Sequence, residues 1–176
     1  MIIFDNYKIE KITKSDVLDI YQLMVSNTER FQRFFPKTLE ANLTLVSAQV
    51  FATQKVKAFD ASEEFLFTIK KEDKVVGLVY IKELDWKKKQ GEFAYCLDKN
   101  CESKGVMTEA VKRLSTYAFD TLGLEVLQII VHISNLGSAK VAKKCNFTWQ
   151  KTLLKVHTPP NEDPLDMELY ELTKPL

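Results

Sequence analysis

The six residues Gly105-Val106-Met107-Thr108-Glu109-Ala110 have the composition of an anion-binding helix start. They follow an apolar, strand-like stretch at residues 93–97 and a polar turn at residues 98–104. A helix that begins there has unpaired backbone N–H groups in its first turn, and such groups bind phosphate. Gly105 would allow the phosphate to approach the backbone closely. The same pattern also occurs at ordinary strand-to-helix turns, so this motif alone leaves both interpretations open.

The order of strand, polar turn and helix start is repeated later in the chain. Residues 126–133 form an apolar stretch that predicts a strand, and residues 136–144 predict a short helix. Asn135 or Ser134 is a suitable N-cap for that helix, and Ser138 lies in its first turn. Two such units in one chain are more specific than either alone.

Taken together, these motifs resemble the GNAT superfamily of acetyl-CoA-dependent N-acetyltransferases, and specifically its Rim-type branch, which acetylates the N-termini of ribosomal proteins. The motifs that carry the resemblance are Gly105-Val106-Met107-Thr108-Glu109-Ala110, Tyr117-Ala118-Phe119, Leu122-Gly123-Leu124, Asn135-x-x-Ser138 leading to Cys145-Asn146-Phe147, and Asp166-Met167-Glu168-Leu169-Tyr170. The likeness extends over essentially the whole chain. It implies a GNAT-like α/β (α+β) fold in a single domain, residues 1–176. In that fold a mixed, mostly antiparallel sheet of about seven strands is flanked by helices, and strands 4 and 5 splay apart.

The resemblance also implies acetyl-CoA as co-substrate and assigns the residues that would bind it. The pyrophosphate would lie on backbone N–H groups of the turn formed by Glu102, Ser103, Lys104, Gly105, Val106 and Met107, where the helix dipole favours negative charge. The amide near Leu97 would polarise the thioester carbonyl, and Asn135 and Ser138 would contact the pantetheine arm and the sulfur. No metal is expected, because three cysteines and two histidines fit no metal-ligand spacing.

Several positions depart from the family pattern. Glu102 stands where the pattern has Gln or Arg, and its carboxylate would repel a pyrophosphate unless the side chain turns outward. Met107 occupies a Gly or Ala position. Ala142 stands where many members carry a Tyr as general acid, so Ser138 or a water would have to protonate the thiolate. Asn146 replaces a Gly but tolerates left-handed backbone, so that turn is expected to survive.

Glu92, near the start of the fourth predicted strand, is the candidate catalytic base. In the resembled family an acidic group on this strand takes the proton from the substrate amine, directly or through water, and the amine must lose it before attacking. A solvated charge at a strand end is the alternative interpretation. His132 is a reserve candidate, for which a packed imidazole in an apolar strand is the simpler interpretation.

Three phenylalanines follow the first predicted helix, namely Phe31, Phe34 and Phe35. They are either ordinary core or the lining of a substrate pocket, because this region lines the pocket in the resembled family. The sequence favours neither of these two interpretations.

Hydrophobic periodicity predicts the elements that must position these residues. The predicted strands are residues 7–12, 64–70, 74–83, Gln90–Leu97, 126–133, 147–156 and 165–172, and the predicted helices are residues 15–26, 44–59, 105–122 and Leu136–Lys144. Lys71-Glu72-Asp73 predicts a tight hairpin connection.

Composition limits the partners and the location. With 25 basic and 24 acidic side chains the net charge is +1, so no overall field favours nucleic acid or an anionic membrane. No stretch is apolar for long enough to span a membrane. The chain has three cysteines, an odd number, which indicates reduced thiols rather than disulfides. These features predict a cytoplasmic protein that is a monomer or a homodimer.

The function predicted from these residues is transfer of an acetyl group from acetyl-CoA to a primary amine, possibly a protein N-terminal α-amine. An α-amine has a pKa of about 8 and a lysine about 10.4, so a single weak base suits the α-amine better. One alternative is a GNAT enzyme that acts on a small amine, such as a polyamine, an amino acid or an antibiotic. Another is a degenerate domain that binds CoA, or nothing, and serves as an interaction module.

Overall fold

The computed structural model describes residues 1–175. In that part of the chain the strands are β1 (Ile2–Phe4), β2 (Tyr7–Lys11), β3 (Phe65–Lys71), β4 (Lys74–Asp85), β5 (Gln90–Leu97), β6 (Val126–Val131), β7 (Thr148–His157) and β8 (Leu165–Thr173). The helices are α1 (Val17–Ser26), α2 (Thr28–Phe31), α3 (Pro36–Glu40), α4 (Leu45–Asp60), α5 (Val106–Asp120) and α6 (Leu136–Lys144). Short 3₁₀ turns occupy Lys14–Asp16 and Lys99–Cys101.

The strands form one sheet in the order β1-β2-β3-β4-β5-β6-β8-β7. The β1–β2, β2–β3, β6–β8 and β7–β8 pairs are antiparallel, and β5 pairs in parallel with β6. The predicted mixed, mostly antiparallel sheet is therefore confirmed. The count of about seven strands was one short, because β1 has only three residues and too few positions to show an alternating pattern.

The pairing of β5 with β6 is short. Its register runs from Gln90 opposite Val126 to Phe93 opposite Ile129. Beyond those pairs β5 continues to Leu97 and β6 continues to Val131. This limited register agrees with the expectation that these two strands, the fourth and fifth of the predicted order, splay apart.

The chain forms two compact units, and each contains buried apolar side chains. The first unit contains residues Met1–Tyr80 and Tyr95–Val106, and its fully buried side chains include Ile9, Ile20, Met24, Leu66 and Ile69. The second contains Ile81–Ala94 and the chain from Met107 onward, with Phe93, Leu114, Leu124 and Leu127 buried. The single-domain organisation over residues 1–176 stays a prediction.

The first helix starts later than residue 15. The Asp16 carboxylate accepts hydrogen bonds from the backbone N–H and the hydroxyl of Thr13, at 2.8 and 2.9 Å, and this closes a 3₁₀ turn ahead of α1. Asp16 is almost fully buried and also pairs with Lys70 at 2.7 Å. Ser15 is therefore inside this turn, and α1 begins at Val17.

The hairpin between β3 and β4 has the predicted tight connection. Glu72 and Asp73 have φ angles of 49° and 64°, the left-handed conformation that two-residue hairpin turns require. Such a turn fixes the register of the two strands that it joins.

Candidate active site

The turn at residues 102–107, which leads into α5 and is called the cradle turn below, has the geometry of an anion-binding site. The helix begins at Val106, one residue after the predicted start, and Gly105 has a φ of 77°. A Cβ built on Gly105 would meet no heavy atom within 4 Å, so the space in front of this backbone is open. The first N–H groups of a 15-residue helix have no acceptor within the helix itself. These features fit the pyrophosphate of acetyl-CoA, which is the group that the cradle would hold.

The Leu97 backbone faces away from β4. The N–H of Asp98 donates to the carbonyl of Val76 in β4, at 2.8 Å. Since successive N–H groups of a strand point to opposite sides, the N–H of Leu97 points to the other side. This orientation fits the expected role of the Leu97 amide in polarising a thioester carbonyl.

Glu102 does not present a free carboxylate to the cradle. Its side chain forms an ion pair with the guanidinium of Arg30, which belongs to α2. The pair is partly exposed, with 35% of the Arg30 side chain and 50% of the Glu102 side chain accessible. The repulsion expected between Glu102 and a pyrophosphate is therefore opposed by a neighbouring positive charge.

Glu92 lies in the middle of a polar cross-strand row. Its Oε1 is 2.9 Å from Nζ of Lys82 in β4, and only 16% of the Glu92 side chain is exposed. Gln128 of β6 lies opposite Glu92 in the parallel register and donates a 2.6 Å hydrogen bond to Glu171 of β8. Glu92 is therefore a held carboxylate in a sheet rather than a solvated charge at a strand end.

The second strand–turn–helix unit folds as predicted. Asn135 is the N-cap of α6, and its Oδ1 accepts a 3.2 Å hydrogen bond from the N–H of Ser138. Ala142 is fully buried. Asn146 has a φ of 63°, which confirms the left-handed turn that replaces the usual glycine.

The three phenylalanines have different environments. Phe31 is the last residue of α2 and is buried, with 5% exposed. Phe35 is half-buried and packs edge-on against Phe31 and Tyr80, with ring centroids 6.3 and 5.9 Å apart. Phe34 is half-buried beneath the guanidinium of Arg33, 5.1 Å from its ring centre. Core packing therefore accounts for Phe31 and leaves Phe34 and Phe35 available to line a pocket.

The expectation that His132 packs inside a strand is wrong. β6 ends at Val131, and His132 starts a turn in which it is half-buried. Its Nδ1 lies 2.6 Å from the hydroxyl of Ser134 and accepts a hydrogen bond from the Ser134 N–H at 3.2 Å. The ring is thus tied to the turn that leads into α6.

Two thiols have strongly shifted pKa values. Burial raises the pKa of Cys96, which precedes Leu97, to about 12, and burial raises the pKa of Cys145 to about 11. Both thiols are protonated at neutral pH and are poor nucleophiles, because the thiolate is the reactive form. An acetyl-cysteine intermediate at either residue is therefore disfavoured, and direct attack by the amine is the simpler route.

Asp98, at the other side of Leu97, has a lowered pKa. Burial alone would raise it, but hydrogen bonds from the Asn27 side chain and the Asn100 backbone and the positive charge of Arg30 outweigh that effect. Asp98 therefore carries a negative charge at neutral pH and is held by these donors.

The predicted site residues are divided between the two units. The first unit contains Leu97, the turn from Glu102 to Val106, and Phe31, Phe34 and Phe35; the second contains Glu92, Met107, Asn135 and Ser138. Sequence reasoning missed Arg30 and Lys82, the cationic partners of Glu102 and Glu92. A lysine ten positions before Glu92 on an adjacent hairpin strand was an available signal, whereas nothing in the sequence links Arg30 to Glu102.

Two further properties concern residues 1–175. No helix among them is long and apolar enough to cross a membrane. The same residues contain no group of three or more His, Cys, Asp or Glu side chains that could hold a metal ion.

Residues 7–148 match the family model described as acetyltransferase (GNAT) domain. The chain belongs to the GNAT acetyltransferase family. It is an acetyl-CoA-dependent N-acetyltransferase. Among curated relatives of this GNAT protein is the probable N-acetyltransferase YjcK of Bacillus subtilis, 30% identical over 128 residues, which are 71% of each chain.

Solved structures share the fold. The ribosomal-protein-S5-alanine acetyltransferase from Vibrio fischeri superposes with a TM-score of 0.91 at 23% identity, over 98% of this chain and 95% of that one. The ribosomal L7/L12 α-N-protein acetyltransferase RimL, in complex with coenzyme A, gives 0.89 at 16% identity, over 97% and 95% of the two chains. At these identities the likeness supports the GNAT fold.

Proposed function

We propose that this GNAT enzyme acetylates the N-terminal α-amine of a protein. The observation that carries the proposal is the Lys82–Glu92 ion pair, in which the lysine ammonium lies 2.9 Å from the carboxylate of the candidate base and balances its charge. A site for a polycationic small molecule would favour uncompensated carboxylates. An α-amine, with a pKa of about 8, is neutral in about one molecule in ten near pH 7, which is over a hundredfold more often than a lysine, so it needs only a weak base.

The acceptor class is also supported by two similar proteins. Both the Vibrio fischeri protein and RimL are described as acetyltransferases of ribosomal proteins, and RimL as acting on an α-amine. Their folds match this chain over nearly its full length. A ribosomal protein N-terminus is therefore the first acceptor to test.

Each candidate residue is proposed to have one task. Glu92 takes the proton from the attacking amine, and the N–H of Leu97 stabilises the oxygen that becomes negative during attack. The turn from Glu102 to Met107 binds the pyrophosphate, and Asn135 contacts the pantetheine arm. The Ser138 hydroxyl passes a proton to the departing thiolate while it takes one from a solvent water, so that Ser138 itself stays neutral. Phe34 and Phe35 contact the first residues of the acceptor, and Phe31 supports Phe35 from the core.

The reaction is proposed to take place in the cytoplasm. All three cysteines are free and buried in the folded chain. Reduced thiols of this kind are typical of reducing compartments.

A thiol-release assay with acetyl-CoA tests the acceptor class. The acceptors are peptides with the N-termini of ribosomal proteins, the same peptides with a blocked N-terminus and an internal lysine, spermidine, a free amino acid and an aminoglycoside. We expect turnover with free N-terminal peptides and a mass increase of one acetyl group at residue 1 of the peptide. Preferential turnover of spermidine, the amino acid or the aminoglycoside would contradict the proposal, and CoA binding with no turnover of any acceptor would indicate a binding module.

A further inference from the structure

Arg30 lies at the centre of a polar cluster in the first unit. Its Nη1 donates to Oδ1 of Asn27 at 3.0 Å and contacts the carbonyl of Leu97 at 3.4 Å, while its Nη2 pairs with Glu102. One guanidinium therefore contacts the end of α1, the last residue of β5 and the first residue of the cradle turn.

Asn27 completes the attachment of the turn after β5. It is 2% exposed, and its amide group donates to the carbonyl of Leu23 at 2.9 Å and to the carboxylate of Asp98 at 3.0 Å. Its carbonyl oxygen accepts from the Lys99 N–H at 3.2 Å as well as from Arg30. A buried amide with two donor and two acceptor contacts is fully used, so it has one preferred orientation.

The charges around the cradle turn make Arg30 important for an anion. Asp98 and Glu102 are both negative and flank the 3₁₀ turn Lys99–Cys101. Lys104 directs its ammonium to the carbonyl of Asn100, at 2.6 Å. A pyrophosphate at Glu102–Met107 would therefore meet a carboxylate at the first position of its own binding turn, and Arg30 is the cation paired with that carboxylate.

We propose that Arg30 is a positioning residue for the acetyl donor, which makes a turn that begins with Glu102 compatible with an anionic pyrophosphate. It does so by neutralising Glu102 and by holding the turn to Leu97 and Asn27. This inference rests on the proposed binding of acetyl-CoA at Glu102–Met107. The Glu102 carboxylate is thus tolerated beside the pyrophosphate only when Arg30 is paired with it. The loss of acetyl-CoA affinity on removing Arg30 should therefore be large only when Glu102 is present.

A double-mutant cycle tests this dependence. Acetyl-CoA affinity is measured by calorimetry for the wild type, Arg30→Met, Glu102→Gln and the double variant, at low and high salt. We expect Arg30→Met to weaken binding about tenfold at low salt and less at high salt, because ions screen the exposed carboxylate. Glu102→Gln should change affinity less than about threefold, and the double variant should bind at least about threefold more tightly than Arg30→Met. Equal affinities of Arg30→Met and the double variant would overturn the proposal.

A second readout separates charge from general damage to the fold. S-acetylpantetheine carries the same thioester without the phosphates. We expect Arg30→Met to lower kcat/KM with acetyl-CoA but to change it far less with S-acetylpantetheine, and Arg30→Lys to restore most of the loss. An equal loss with both donors would mean that Arg30 only supports the structure, and the proposal would be wrong.

The matched control is the Lys89–Glu125 pair, which joins two exposed side chains at 2.6 Å. Lys89 comes just before the first residue of β5, whereas the cradle turn follows the last residue of that strand. Lys89→Met, Glu125→Gln and their double variant should leave acetyl-CoA affinity unchanged, and thermal unfolding verifies that every variant is folded. A wild type that does not bind acetyl-CoA would refute the proposed function itself, whereas a wild type that binds with an additive Arg30–Glu102 cycle would refute this inference alone.

Discussion

Lys82 and Glu92 face each other across neighbouring strands β4 and β5, with 2.9 Å between Nζ and Oε1. Both side chains are mostly covered, at 30% and 16% exposure. A partly buried pair holds its geometry better than an exposed pair, which is screened and mobile. The ammonium of Lys82 therefore fixes where the Glu92 carboxylate can accept a proton.

Glu92→Gln should reduce turnover about 10²-fold or more while leaving acetyl-CoA affinity unchanged, because the amide cannot accept the proton from the amine. Glu171→Gln is the matched control, since Glu171 is a carboxylate in the same cross-strand row and bonds to Gln128. An unchanged saturated rate in Glu92→Gln would remove Glu92 from the mechanism, and a raised KM alone would assign it to acceptor binding.

Gly105→Ala should weaken acetyl-CoA binding about tenfold, because the added Cβ enters the open space in front of the cradle backbone. Gly123→Ala is the matched control, since Gly123 has a φ of 73° against 77° for Gly105 and equally open surroundings. Both substitutions strain a left-handed backbone and should cost roughly 1 kcal/mol of stability. Calorimetry and thermal unfolding separate the two effects, and equal CoA affinities in the two variants would show that the cradle lies elsewhere.

Phe31→Ala should destabilise the fold by about 3 kcal/mol or more, since the side chain is 5% exposed and its removal leaves a cavity. Phe34→Ala should cost far less stability and should instead raise KM for the peptide acceptor. Denaturant unfolding and steady-state kinetics with a ribosomal N-terminal peptide distinguish the two roles. A Phe34→Ala enzyme with wild-type KM would show that Phe34 does not contact the acceptor.

Cys96 should make the protein less stable in alkaline solution. Burial raises the pKa of its thiol from 9.0 to about 12, so the folded thiol stays protonated while the unfolded thiol ionises. The stabilisation is complete below pH 9 and is lost as the pH rises towards 12, at up to about 1.4 kcal/mol per pH unit.

The check on Cys96 is the free energy of unfolding between pH 8 and 10.5 in wild type and Cys96→Ala. The variant should lose stability less steeply above pH 9, whatever its starting value. Val75→Ala, at a buried position without a titratable group, controls for the cavity. Parallel curves for wild type and Cys96→Ala would contradict the expectation.

The sequence by itself determined the local structure around the proposed donor site. The start of α5 beside Gly105 and a cap for α6 at Asn135 or Ser134 were predicted from their residue types, and the left-handed turn at Asn146 was predicted from the family resemblance. Each depends on backbone preferences and hydrogen bonds within a few residues, which a short stretch of sequence encodes. The motifs in the predicted order were also sufficient to identify the family.

Only the tertiary structure decided which charges meet. Glu102 and Arg30 are 72 positions apart, and Lys82 reaches Glu92 through the pairing of β4 with β5. The tertiary structure also determined that β8 lies between β6 and β7 and that the three-residue β1 joins the sheet as an edge strand. These outcomes follow from strand register and core packing, in which many weak contacts act together, so no single residue type signals them. A carboxylate that looked unfavourable for an anionic substrate is therefore a paired one in the folded chain.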